Sequence, residues 1–532
     1  MNPPIIISGG TILDGRGGEP FVGDVLVRDG RIAEIGAVTG PEDAAIVDAR
    51  GLYVAPGFID IHSHSDYTLY VDPRAISSLA QGVTLEVVGN CGHGCAPFVN
   101  TEAGRANLYG YQPGHNIPWQ GIGEYLEALA ARQPAVNVAV LVPNGCLRLA
   151  AVGALDRPAT PDELERMKRA LARGIEEGAY GYSTGLESEI ERECTEAEII
   201  ELCKVTAKAG GFYATHTRNR YGEARETIAE AIRTCEATGG ALQISHLSCV
   251  ARLTESSRWA VEQAIEQVDA ARARGLEVTF DLHTRSFGMT TLATALPLWA
   301  LEGSAVEIGR RLADVDLRQK MKSHPSIVTA LARGGWSRMV VHNCRHQPEL
   351  SGQSIADLAR VRGCEPFDVI YDILLEEGGD LHSVLILGFV YRQEDTHFAF
   401  EHPQCMIGSD ATTVSPDRPL ESCLVHGTYT WAAWFWRHFV RETKKLAPQE
   451  AVRRLTSLPA QRIGLPDRGV LQRGAWADIA VFDPQQYAER GTIDQPQQTA
   501  TGMKFVLVNG ALVVSHGQPT GTRSGQVLRY RG

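Results

Sequence analysis

From Pro56 onward the chain repeats one unit: a short apolar strand, a polar loop and an amphipathic helical run. That rhythm limits the possible folds more than any other feature. Eight candidate strands fall at residues 58–61, 83–88, 136–142, 181–183, 212–215, 242–245, 277–280 and 406–407. Helical runs lie between most of them, as at 162–177, 195–209, 223–237 and 255–274. Thr160-Pro161-Asp162-Glu163 and Thr195-Glu196-Ala197-Glu198 fit capping boxes with early acidic residues, which mark helix starts. Eight such units predict an α/β fold of the (β/α)8 barrel type, with catalytic groups on the loops after the strands. A doubly wound open sheet is the competing architecture. The stretch before the eighth strand is too long for one loop. An excursion over the barrel mouth is expected at about 285–350, with further helix at 354–377.

The two chain ends have another character. Residues 4–54 alternate β-prone runs with glycine-rich turns, and Asp29-Gly30 between Val27 and Ile32 is a hairpin signal. Residues 477–482, 505–510 and 512–514 return to the same style. The N-terminal part has too little apolar content to stand alone. The expectation is one small β-sandwich domain built from 1–55 and 465–532, flanking a barrel at 56–464.

The chemistry is read at the strand ends. His62 and His64 close the first strand two residues apart, so they share a face, and paired imidazoles at a strand end suit a metal ion. Cys91 follows the second strand, His216 ends the fifth, His246 ends the sixth and Asp410 follows the eighth. Six metal-competent groups at one mouth of one barrel point to a metal centre. A net charge of -12 without a basic run argues against nucleic-acid binding. No apolar run reaches membrane-spanning length, and Met1-Asn2-Pro3-Pro4-Ile5 lacks the layout of a signal peptide. Eleven scattered cysteines then read as reduced thiols in a cytoplasmic protein, with a homo-oligomer left open.

Several segments together resemble the N-acyl-D-amino-acid deacylase (D-aminoacylase) family of the amidohydrolase superfamily. They include Ala55-Pro56-Gly57-Phe58-Ile59-Asp60-Ile61-His62-Ser63-His64-Ser65-Asp66, Val88-Gly89-Asn90-Cys91-Gly92, Gly181-Tyr182-Ser183-Thr184-Gly185-Leu186, Ala214-Thr215-His216, Ile244-Ser245-His246 and Met406-Ile407-Gly408-Ser409-Asp410. The resemblance implies one tight zinc on Cys91, His216 and His246, and a second, weaker site at His62 and His64. It implies Asp410 as the group that takes a proton from the attacking water and passes it to the departing amine, and a small amide as the substrate. The substrate side departs from the family pattern. Ser248 stands where a Lys is usual, and His283-Thr284-Arg285 replaces Tyr-Pro-Tyr. Arg218, Arg252 and Arg285 are candidates to pair a substrate carboxylate, with His283 and Ser183 as further substrate contacts. Opening of a cyclic amide or removal of an N-carbamoyl group on the same metal site is the alternative activity. A metal-binding protein without catalysis is a third reading.

Overall fold

The computed structural model describes residues 3–111, 115–218, 224–247, 257–324, 326–332, 335–344, 346–378, 381, 384–417, 420 and 426–532. Each of the eight expected strands is present: Phe58–Asp60, Val83–Val88, Asn137–Val140 running on into Val142–Pro143, Gly181–Gly185, Phe212–His216, Ala241–Ile244, Val278–Leu282 and Cys405–Ile407. Every one lies parallel to its neighbours. Beyond the eighth strand the Asp410 N–H donates to the His62 carbonyl at 2.8 Å, and the His64 N–H donates to Ala411 at 2.9 Å. The last strand therefore meets the first. The sheet is a closed barrel, and the open doubly wound alternative is excluded.

Period-2 alternation builds both layers of this barrel. Ile59, Ile61, Leu85, Val87, Ala139, Leu141, Ala214 and Met406 form one buried cluster, plugged from below by Leu458 and Ile463. The alternate residues, among them Phe58, Val83, Val138, Val140, Leu242 and Phe280, pack against helix residues such as Leu126, Leu171, Leu202 and Val261. The two capping boxes form as read, at Thr160 with Glu163 and at Thr195 with Glu198, and they open the helices Pro161–Glu176 and Glu196–Lys208.

Strands from both chain ends join in one nine-stranded sheet. Tyr53–Pro56 pairs antiparallel with Ile479–Phe482, which makes the seam between the N-terminal and C-terminal parts. The sheet folds over until Ile32 and Ala475 exchange a backbone hydrogen bond of 2.9 Å. Ile7, Val25, Ile32, Ile479, Val481 and Leu507 are enclosed by this fold-over. The tail then runs on under the barrel. Gln526 and Leu528 hydrogen-bond Val138 in the third strand, at 2.9 and 2.8 Å, and the Tyr530 N–H reaches the Gly178 carbonyl at 2.9 Å.

The excursion is longer than the sequence indicated. Gly288–Thr291, Met339–Asn343 and Leu385–Gly388 form one antiparallel three-stranded sheet. The unit therefore does not end near 350 but runs on to its last strand. It has a core of its own, from Leu292 to Tyr391, which also takes in the helices Ile355–Arg362 and Pro366–Glu377. The strand Leu385–Gly388 is a short apolar run, and such runs do not reveal their partners.

Candidate active site

Three residues at the strand ends adopt backbone conformations that side chains rarely take: Cys91 (φ 53°), His246 (φ 33°) and Asp410 (φ 45°). Non-glycine residues held there store strain, and such residues concentrate at functional sites. The loop that carries Cys91 is also tightly enclosed. A Cβ on Gly89 would stand 2.4 Å from the Leu141 carbonyl oxygen, and one on Gly92 would stand 1.6 Å from Glu191 Oε1. Ser183 holds this loop from beneath. Its hydroxyl donates to the Gly89 carbonyl and accepts the Gly92 N–H at 3.2 Å. Ser183 is fully buried, so the substrate contact expected of it is replaced by support of the Cys91 loop.

The candidate ligand atoms lie close together, although the first strand ends at Asp60 and both of its histidines lie just beyond it. Cys91 Sγ is 3.2 Å from His62 Nε2 and 3.4 Å from His246 Nε2. The donor atoms of Cys91, His216 and His246 lie within 4.8 Å of one another, as do those of His62, His64 and Cys91. The sulfur is common to both triads. Burial alone would raise the Cys91 thiol. The facing His62 and His246, with hydrogen bonds from His216 and His246, hold it well below its ordinary range instead. Burial opposes charge on His62 too, and there Cys91 and Asp281 overcome it, raising the imidazole. A buried thiolate set among imidazoles offers a negative donor to a cation. One thiolate with two neutral imidazoles is a zinc donor set.

Behind these candidate donors stand carboxylates, placed as the second partners of metal-binding histidines are. Asp281 Oδ1 meets His62 Nδ1 at 2.9 Å and accepts the His246 N–H at 2.8 Å, while its other oxygen takes Gln243 Nε2 at 2.8 Å. Glu187 Oε2 lies 3.0 Å from His216 Nε2. Asp281, in the seventh strand, is a residue the strand-end rule also reaches. Tyr109 left no such signal, because it comes from an irregular segment after the second strand. Its ring lies 4.5 Å from that of His64 and 5.1 Å from that of His93.

Asp410 presents its two oxygens to different neighbours. Oδ1 lies 3.2 Å from His64 Nε2 and 3.6 Å from His62 Nε2. Oδ2 receives Arg285 Nη2 at 2.7 Å and lies 4.0 Å from His283 Nε2. Burial would raise this carboxyl, yet Arg285 and the hydrogen bond from His64, with the charges of His62 and His246, hold it well below the usual carboxylate range. Arg285 is thus taken up by Asp410 rather than standing open to a substrate carboxylate. Arg218 is engaged as well, with Nε on Glu230 at 2.8 and 3.0 Å and its terminal nitrogens on the carbonyls of Arg192 and Cys194. Both arginines found protein partners because a buried or half-buried guanidinium left unpaired is costly. Arg252, like Ser248, lies outside the described residues.

Relatives bear on this site. An N-acyl-D-glutamate deacylase of Alcaligenes xylosoxydans xylosoxydans is 32% identical over 531 residues, spanning 99% of this chain and 96% of that protein. A D-aminoacylase of the same organism is 30% identical over 524 residues, with 98% and 97% covered. The crystal structure of N-acyl-D-glutamate deacylase from Bordetella bronchiseptica, complexed with zinc and a phosphonate mimic of the tetrahedral intermediate, superimposes with a TM-score of 0.82. It shares 30% identity over 100% of both chains. A crystal structure of D-aminoacylase superimposes with a TM-score of 0.83 at 28% identity, over 99% of both. Residues 45–514 match the profile of the amidohydrolase family. A closed barrel with a thiolate and histidines at its mouth, matched along nearly its whole length, places this chain in the amidohydrolase family, as a metal-dependent hydrolase of amide C–N bonds.

Proposed function

We propose that the chain removes the acyl group from N-acyl-D-amino acids, with zinc on Cys91, His216 and His246 and with Asp410 as the proton-transfer group. The observation that carries this reading is the meeting of the Cys91, His216 and His246 donors with the Asp410 carboxylate at one strained barrel mouth. His62 and His64, on the other side of the same sulfur, would form the weaker second site. Zinc held by Cys91, His216 and His246 would supply Lewis-acid polarisation of the amide carbonyl and a lowered pKa for water. Asp410 Oδ1, turned towards the histidines, accepts a proton from the attacking water and hands it to the departing amine nitrogen. Asp281 and Glu187 keep the ligand imidazoles in orientation while this happens. The relatives' activities on N-acylated D-glutamate and D-aspartate support an amino-acid product. The nine described cysteines are all free, which supports a reducing, cytoplasmic location. Among the described residues no helix is long and apolar enough to cross a membrane.

The test joins metal analysis to a substrate panel. Purified protein should carry zinc, a chelator should abolish turnover, and Cys91→Ala should lose both metal and activity. Asp410→Asn should keep its zinc and fold while turnover drops by about 10²-fold or more, the range for a lost general acid–base group. N-acyl-D-amino acids should be hydrolysed ahead of their L-isomers, cyclic amides and N-carbamoyl amino acids. Fast opening of cyclic amides with no turnover of linear ones would replace this reading by the alternative.

A further inference from the structure

Arg285 sits where the sequence offered a clamp for substrate, and its contacts point to a different task. Its side chain is buried, and both terminal nitrogens face inward. Nη1 donates to the Ser409 carbonyl at 3.1 Å and to the Asp410 carbonyl at 2.8 Å. Nη2 donates to Asp410 Oδ2 at 2.7 Å. The left-handed turn at Asp410, with φ at 45°, lets one guanidinium reach two successive carbonyls and the side chain of the second residue. Gly427 closes the arrangement from the far side: a Cβ there would stand 2.7 Å from Arg285 Nη1 and 3.0 Å from the Ser409 carbonyl oxygen.

From this geometry we infer that Arg285 is a positioning residue for Asp410. It locks one carboxylate oxygen and the strained backbone, so that the other oxygen faces the histidines. The inference rests on the reading of Asp410 as the proton-transfer group. A planar guanidinium suits the task, because its fork can satisfy a carboxylate oxygen and two carbonyls at once, whereas an ammonium is a single point charge. With these three acceptors satisfied, Arg285 acts on chemistry common to every substrate and not on the charge of any one of them.

The prediction separates a positioning residue from a substrate clamp. Arg285→Met should lower kcat by about 10²-fold, the size of loss that follows when a catalytic group is misplaced, with KM nearly unchanged. The loss should be equal on an N-acyl-D-amino acid and on its carboxamide analogue, and zinc content should stay at the wild-type level. The double variant Arg285→Met/Asp410→Asn should be no slower than Asp410→Asn alone, since Arg285 works through that carboxylate. Gly427→Ala, which crowds the guanidinium without touching the reacting groups, should reproduce part of the kcat loss, and it serves as the test if Arg285→Met does not fold. A rise in KM confined to the carboxylate substrate would make Arg285 a clamp and overturn the inference, as would additive losses in the double variant. A Gly427→Ala enzyme with wild-type kcat would overturn it as well. Near-normal turnover of Asp410→Asn would instead remove the underlying reading of Asp410, so the two failures are distinguishable.

Discussion

Ser183 illustrates how a buried hydroxyl serves a site by holding a loop. It joins the carbonyl of Gly89 to the N–H of Gly92 across the loop that holds Cys91 at positive φ. Ser183→Ala leaves both backbone groups without that partner, and the loop should then hold the thiolate less firmly. Zinc affinity, measured by competition with a chelator, should fall by about 10–100-fold, as it does when supporting partners of metal ligands are removed. KM for metal-loaded enzyme should barely change. A rise in KM with unaltered zinc affinity would return Ser183 to the substrate pocket. Asp281→Asn should act in the same direction, because it weakens the hold on the His62 ring and on the His246 backbone together.

Among the elements, the helix Pro161–Glu176 offers the clearest test of local encoding. Thr160 Oγ accepts the Glu163 N–H at 3.3 Å, and the Glu163 carboxylate takes the N–H groups of Thr160 and Gly153 at 2.8 and 2.9 Å. Replacing Thr160 by Ala should destabilise the protein by about 1 kcal/mol, read from denaturant unfolding. Arg157, with the Gly153 and Thr160 N–H groups, holds the Glu163 carboxyl well below its ordinary range. Its stabilising effect is therefore present above that ordinary range and is lost as the pH falls through the lowered value. The Tm difference between wild type and Glu163→Gln should be widest near neutral pH and should close in acid. A gap that stays constant would show that charge has no part in the cap. The inserted unit, by contrast, is assembled by non-local pairing. Its middle strand, Leu385–Gly388, meets Gly288–Thr291 and Met339–Asn343 from far away in sequence, and His324 of this unit reaches back to Glu189 of the barrel at 2.6 Å.

For the molecule as a whole, the two chain ends and the barrel stand or fall together. Deleting residues 470–532 removes Ile479–Phe482 from beside Tyr53–Pro56 and takes the tail away from the third barrel strand. The bared edge offers unpaired backbone groups to other chains, so the truncated protein should aggregate, as read by solubility and light scattering. A soluble, active truncation would show instead that the C-terminal strands are dispensable. The eight strands, the two capping boxes and the positions of His62, His64, Cys91, His216, His246 and Asp410 at or just after strand ends are legible in the chain alone. Each of these is written in a periodicity or an offset of a few residues, which local sterics and backbone hydrogen bonding convert directly into structure. Long-range packing pairs Arg285 with Asp410 125 positions away, turns Arg218 to Glu230, brings Asp281 to His62 from 219 positions away and sets Ser183 beneath its loop. Those partners meet because barrel closure brings distant strand ends within hydrogen-bonding distance. A buried charge takes whichever opposite group is then nearest, and no local pattern in the chain encodes that choice.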